Sequence, residues 1–196
     1  MSRFAPRRPG DVAAMIREEV LGLVTTHDDQ GFITTPLPLL AEVDEAGEVT
    51  ALIGHFATAN PHVARARATP RAQVSFFGPH GYISPSMVSK PDWGPTWNYR
   101  LAQFEVEIEF QPGNEDQAIR ALAAAVEGTG DGDWTVERMG ARYASLVEHV
   151  IAFRAQVIRS SARFKLGQDE SATSFREIVS ALGDTALSRA MRAQRD

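Results

Sequence analysis

The side chains whose types and spacing best suit chemistry lie in one stretch, FGPHGYISPSMVSKPDWGPTWNY, from Phe77 to Tyr99. Ser84, Ser86, Ser89 and Lys90 put three hydroxyls and one ammonium close together, beside Trp93 and Trp97. Gly78-Pro79 and Gly94-Pro95 are turn punctuation, because proline fixes φ and removes a donor. Hydroxyls, a lysine and main-chain amides held by prolines suit an anionic ligand with a flat ring. The same aromatics equally suit packing onto the body of the protein or onto a partner subunit. Residue chemistry leaves these two readings even.

Other candidates are weaker. His27, His55, His62, His80 and His149 are scattered, without the i, i+4 spacing of a helical metal site, so surface or supporting roles are expected. His55 and His80 both end strands at turns and are the two to watch. Glu105, Glu107 and Glu109 alternate with Phe104, Val106, Ile108 and Phe110, which reads as a solvated strand face rather than paired acid–base carboxylates. There is no GxGxxG, Walker loop, GxSxG or HExxH.

The chain has 196 residues, 43% hydrophobic and 23% charged, with a net charge of −5 and no cysteine. That is the composition of a globular protein with room for a full core. It excludes thiolate chemistry, disulfides and cysteine-based metal sites. The negative balance argues against a generally nucleic-acid-binding surface, although arginines gather at both ends (Arg3, Arg7, Arg8; Arg189, Arg192, Arg195). No apolar run approaches a membrane span, and the first twenty residues lack a signal peptide's apolar middle. A cytoplasmic protein is the expectation.

The elements that would hold these residues follow from periodicity and punctuation. Helical spacing predicts a helix from Asp11 to about Val20. Strands are expected over Leu21–Thr26, Phe32–Leu40 and Val49–His55, forming a meander. Pro36 and Pro38 put the second of these at an edge or a bulge. Asn60 caps a helix over His62–Ala68, with Pro61 at its first position. Strands follow over Ala72–Phe77 and Leu101–Phe110, with a brief one inside the aromatic stretch at Gly81–Ser84. A capping box at Asn114–Gln117 opens a helix to about Val126, and a second helix runs from Thr135 to about Glu148. Val150–Ile158 is a strand, and Ser160–Gln168 holds a basic turn, RFKLGQ. Ser174–Glu177 caps a C-terminal helix, and Asp184 caps a last amphipathic stretch. The order suggests an α+β fold, mainly antiparallel β, with strands closing into a barrel. A single domain over 1–196 is expected, with a helical insertion at about 114–148 and a helical tail at about 174–196.

Four segments then carry a resemblance: GHFATANPHV (Gly54–Val63), FFGPHGYISPS (Phe76–Ser86), PTWNY (Pro95–Tyr99) and the KLGQ turn (Lys165–Gln168), with LPLL (Leu37–Leu40) fitting ahead of them. In order and spacing the chain resembles the PaiB-like group of FMN-binding split-barrel proteins, often described as negative transcriptional regulators, from about Phe4 to Ser171. The resemblance implies a six-stranded split barrel with peripheral helices and a homodimer with FMN in a groove at its interface. It implies a phosphate near His55–Asn60 and a strand at Thr34–Leu37 edging the isoalloxazine. Carried onto this sequence, the cofactor-binding residues are Thr34, Thr35, His55, Thr58, Asn60, Ser84, Ser86, Lys90, Trp97 and Asn98. Thr58 stands where the family usually has an arginine, and Met87-Val88 where it usually has Trp-Tyr. Loss of that arginine implies weakened FMN binding, since a bidentate guanidinium is not copied by other side chains; Arg65, Arg67 or Lys90 could compensate. No proton donor stands out. The alternatives are a regulator without flavin or catalysis, acting on DNA directly or through a partner, and a small flavin- or haem-dependent oxidoreductase using His55 or His80.

Overall fold

Alternation of apolar and polar residues builds most of the molecule as one antiparallel sheet. The computed structural model describes residues 2–195. A first helix, α1 (Gly10–Glu19), leads into β1 (Leu21–Asp28) and β2 (Gly31–Pro38). Then come β3 (Leu40–Val43), β4 (Val49–Ala57), α2 (Pro61–Ala68), β5 (Arg71–Ile83) and β6 (Thr96–Phe110). The insertion supplies α3 (Glu115–Glu127) and α4 (Ala141–Glu148), and β7 (Val150–Lys165), α5 (Ala172–Leu182) and α6 (Ala186–Arg195) complete the chain. The strand order is β2-β1-β5-β6-β7-β4-β3, with every pairing antiparallel.

Phe56, Phe76, Phe104 and Phe153, one from each of four strands, are fully buried in the core. Burying each is worth about 1.5–3 kcal/mol. The sheet curls back on itself where Gly54 of β4, the last strand but one in the order, backs onto the end of β2. A β-carbon there would stand 2.6 Å from Leu39 Cδ2 and 3.0 Å from the Pro38 carbonyl oxygen. β2 and β4 approach without a ladder between them, which makes this a split barrel rather than a closed one.

Several expectations change in detail. The sheet has seven strands rather than six, because the chain breaks at Leu39, whose N–H turns away to the Val20 carbonyl (2.9 Å). The first strands are therefore two hairpins at opposite ends of the order, not one meander. Pro36 and Pro38 do lie on an edge strand, where their missing donors cost no ladder bond. Most of the aromatic stretch is strand: β5 continues to Ile83 through a register shift between Phe77 and His80, and β6 begins at Thr96. Only residues 84–95 remain a loop. The basic segment after Ile158 is likewise strand as far as Lys165, held to β6 by seven pairs, from Arg159–Glu105 to Lys165–Tyr99. The second insertion helix is broken at Gly140 (φ 56°) into a 3-10 turn, Val136–Met139, and α4.

The caps also move. Asn60 caps α2 as expected, accepting from the His62 N–H. Asn114 makes no side-chain cap. Ser171 caps α5 instead of Ser174, and Thr185 with Ser188 caps α6 instead of Asp184.

Candidate functional site

Two threonine pairs, Thr25-Thr26 on β1 and Thr34-Thr35 on β2, come together because the hairpin register sets Thr25 opposite Thr34. Alternation sends one member of each pair outward and one inward. Outside, the Thr25 and Thr34 hydroxyls are hydrogen-bonded at 2.9 Å and exposed. Inside, Thr26 and Thr35 clasp the ring of His62, which is fully buried. Thr26 Oγ1 lies 3.0 Å from His62 Nε2, and Thr35 Oγ1 lies 2.8 Å from Nδ1. Asn60 Oδ1 accepts from the His62 N–H at 2.9 Å, and its amide donates toward Thr35 Oγ1 at 3.5 Å. Burial, and secondarily the Arg65 charge, holds the His62 pKa below its ordinary value of 6.5. The ring is therefore neutral near pH 7, with one nitrogen donating and the other accepting.

The hairpin is pinned to α2 by Arg65, which donates to both Asp28 carboxylate oxygens and to the Gly31 carbonyl. The bonds from Arg65 hold the Asp28 carboxyl below its usual range. On the outer face, Thr25, His27 and Phe32 wall a groove of about 550 Å³. Its far side runs along the ladder from Gln73 to Glu105. Arg71 and Arg159 lie on this groove and share the Glu105 carboxylate.

This geometry divides the expected cofactor residues. Thr34, Thr35 and Asn60 meet around His62. Ser84, Ser86, Lys90, Trp97 and Asn98 do not join them within one chain. Thr34 connects through Thr25 to Gln73, whereas Trp97 pairs with Tyr82. Tyr82 lies nine positions beyond Gln73 along β5, about 30 Å. Ser84 and Ser86 bond each other at 2.9 Å around a 3-10 turn, and Lys90 lies 3.5 Å from Asp92 at the surface. The loop docks on the C-terminal tail: Glu177 accepts from the Ser89 N–H, and Glu170 from Trp93 Nε1 at 2.8 Å. Asn98 is buried against α6, with Nδ2 3.5 Å from Met191 Sδ. Trp97 is half exposed beside His80 and Tyr82, and Lys165 fastens its carbonyl at 2.9 Å.

Thr58 and His55 have other tasks. The Thr58 N–H and hydroxyl both donate to the His149 carbonyl, at 2.9 and 3.2 Å, which ties the end of α4 to the barrel. His55 lines a second cavity, between β4 and the α3–α4 insertion, which none of Thr34, Thr35 and Asn60 touches. Its Nδ1 is buried without a hydrogen-bond partner, and burial lowers its pKa.

The outer face of β1 and β2 suits a flat ring with a polyol chain, offering exposed hydroxyls beside Phe32. A phosphate at α2 is less well served. Pro61 has no N–H, Asn60 takes the His62 N–H, and Val63 N–H bonds the Asn60 carbonyl at 3.0 Å. Arg65 is committed to Asp28, and the Arg67 guanidinium lies over the Phe110 ring, 4.7 Å from its centroid. Both guanidiniums are thus engaged within the chain. Among the described residues no three His, Asp or Glu side chains converge as a metal site, and no helix is long and apolar enough to cross a membrane.

Sequence reasoning missed His62, Thr25 and Thr26. The repeated Thr-Thr on two adjacent strands, in register across one turn, was the available signal.

Comparison with known proteins adds to this geometry. The family described as "Putative FMN-binding domain" matches residues 1–159. Protease synthase and sporulation protein PAI 2 of Bacillus subtilis (strain 168) is 26% identical over 170 residues, covering 85% of this chain and 80% of that protein. Among solved structures, the flavocytochrome Anf3 of Azotobacter vinelandii superposes with a TM-score of 0.61 at 14% identity, over 80% of this chain and 66% of that one. The conserved hypothetical protein Rv2991 of Mycobacterium tuberculosis gives 0.58 at 12%, over 84% and 89%. The FAD and Heme binding protein of Mycobacterium smegmatis gives 0.54 at 18%, over 88% and 77%. At these identities the structural matches show a common fold.

Proposed function

The chain belongs to this FMN-binding domain family, and from that premise we propose that it binds a flavin along the outer face of β1 and β2. The observation that carries the reading is the threonine cluster locked by buried His62. Thr34 and Thr25 present hydroxyls to the ligand, and Thr35, Asn60 and His62 hold β2 against the start of α2. A bound flavin would supply electron transfer, with the chain supplying position and electrostatics.

The flavin groove is completed by a second copy of the chain. Leu23 is 44% exposed, Phe77 51%, Tyr82 48% and Trp97 54%, all on the outer side of adjacent strands β1, β5 and β6. A continuous apolar face on a sheet is what subunit association covers. Such a dimer would also give the aromatic segment, remote from Thr34 in one chain, a subunit to meet.

The test is to purify the protein, add FMN, and record bound-flavin absorbance and fluorescence together with the mass in solution. A flavin-loaded dimer is expected. Absence of binding at high micromolar FMN would overturn the cofactor reading and leave the fold untouched.

A regulatory role without catalysis is the second reading, favoured by the engagement of Arg65 with Asp28 and of Arg67 with Phe110, which leaves neither guanidinium free for a flavin phosphate. A mobility shift on DNA at modest salt, with flavin-free protein, would support it.

A further inference from the structure

The two arginine-rich ends of the sequence meet in space. The segment before α1 runs along the edge of β7, where the Phe164 N–H donates to the Phe4 carbonyl at 2.7 Å. α6 packs beside it. Gln194 Nε2 donates to the Ala5 carbonyl at 3.0 Å, and Arg7 Nη1 to the Ala193 carbonyl at 3.4 Å. Leu187, Met191 and Gln194 turn inward, which leaves Arg192 and Arg195 exposed on the outer face of α6. Arg3, Arg7 and Arg8 are exposed on the segment beside them. Five guanidiniums thus gather at one junction of a chain whose net charge is −5.

None of the five takes part in an ion pair among the described residues, in contrast to Arg65, Arg100, Arg120 and Arg154. Two carboxylates lie close. Asp11 Oδ2 accepts from the Arg7 and Arg8 N–H groups at 3.0 and 2.9 Å, and Glu48 shares a cleft with Arg7 and Arg8. The local balance stays positive. The Arg195 guanidinium lies over the Phe175 ring, 4.3 Å from its centroid, so that side chain is ordered before any partner arrives. The junction offers nothing apolar to insert, because the exposed large hydrophobic side chains all lie between Leu21 and Ile158. Binding in a membrane surface needs such side chains among the cations, and binding a single strand needs exposed rings on which bases stack. A duplex presents regularly spaced phosphates on its outside and asks only for cations.

We propose that this junction of the chain's two ends is a contact surface for duplex DNA, gripping it through the phosphates without reading sequence. The inference names a surface for the regulatory reading and rests on that reading for the choice of DNA. Guanidinium N–H groups donate to phosphate oxygens in the charge-assisted geometry that arginine favours. Positive charge confined to one junction of an acidic molecule also orients that molecule on a polyanion. α6 supplies two of the arginines and the segment before α1 supplies three. The surface therefore exists only while α6 is docked against that segment.

Fluorescence anisotropy of a labelled duplex of about 24 base pairs, titrated with the intact protein from low to physiological salt, tests this. Log affinity should fall with log salt with a slope of about −3 to −4.5, the range for up to five phosphate contacts. Two unrelated duplex sequences should bind within about three-fold of each other. Arg3→Gln, Arg8→Gln and Arg192→Gln together remove three exposed guanidiniums that make no ion pair among the described residues. The triple variant should bind at least about ten-fold more weakly at low salt and lose about two to three units of slope, with its melting temperature unchanged. Arg138→Gln with Arg142→Gln, on the insertion, should leave DNA affinity within about two-fold. A parent that binds the duplex as tightly as the triple variant does would overturn the proposal and leave the regulatory reading standing. A parent that binds no duplex at low salt would overturn the proposal together with direct action on DNA. Tighter binding of the single strand, or equal binding of phosphatidylserine vesicles weakened by the same three substitutions, would overturn duplex DNA as the occupant.

Discussion

The proposed phosphate end of the flavin site can be tested quantitatively at Thr58. FMN and riboflavin share the ring and ribityl chain and differ by a phosphate carrying about −1.5 to −2 charges at pH 7. A hydrogen bond to a charged group is worth about 1.5–3 kcal/mol, roughly a ten- to hundred-fold gain in affinity. At the start of α2 the groups that could provide it are occupied: the His62 N–H by Asn60, Arg65 by Asp28, Arg67 by Phe110. The protein should therefore prefer FMN over riboflavin by less than about ten-fold. Thr58→Arg adds a guanidinium at the start of α2. FMN affinity should rise roughly ten- to hundred-fold while riboflavin affinity stays level. The gain should shrink with added salt. The cost is the exposed Thr58 hydroxyl bond to His149, about 0.5–1.5 kcal/mol of stability, since the main-chain bond remains. Fluorescence titration of both flavins into both proteins, at low and high salt, reads all four affinities. A wild-type preference for FMN above about a hundred-fold, unmoved by Thr58→Arg, would refute the reasoning. It would mean that another cation reaches the phosphate, and Arg71 and Arg159 on the adjoining groove would be the residues to change next.

Three further outcomes are expected. His62→Ala empties a fully buried site and orphans the Thr26 hydroxyl, which is 2% exposed; thermal or urea unfolding should show a loss of about 3 kcal/mol or more. The folded state depresses the His62 and His55 pKa values below 6.5. The stability gained from keeping these rings neutral is complete above that value and is lost as pH falls from there through the folded-state pKa values. Urea midpoints should drop on acidification over that window, and less steeply in His62→Gln. Gly54→Ala puts a methyl against Leu39 and the Pro38 carbonyl at the barrel seam; a loss of about 1–3 kcal/mol, seen as a lowered melting temperature, is expected.

Local pattern made much of this protein readable in advance. The run of α1, the alternation in β6, the edge position marked by Pro36 and Pro38, and the Asn60-Pro61 start of α2 all follow from neighbours within a few residues. The aromatic stretch did not read correctly, because Gly78-Pro79 looks like a chain break. In the fold it is a bulge, tolerated because β6 continues to pair with β5 beyond it, from His80–Tyr99 to Ile83–Thr96. The cap at Ser174 failed for a similar reason: Glu177, its expected partner, reaches across 88 residues to the Ser89 amide.

The division of the site belongs to the tertiary structure alone. Residue types marked Ser84, Ser86 and Lys90 as suited to a ligand, and the family resemblance added Thr34, Thr35, Asn60 and Trp97, but strand register decides which of them meet. That register groups the threonines of two strands around a histidine 27 and 36 residues away and leaves the serines and Lys90 at the far end of β5. Side-chain chemistry is written residue by residue. Which chemistries share a site depends on pairings between distant segments, and those are selected by the burial of Phe56, Phe76, Phe104 and Phe153 in one core.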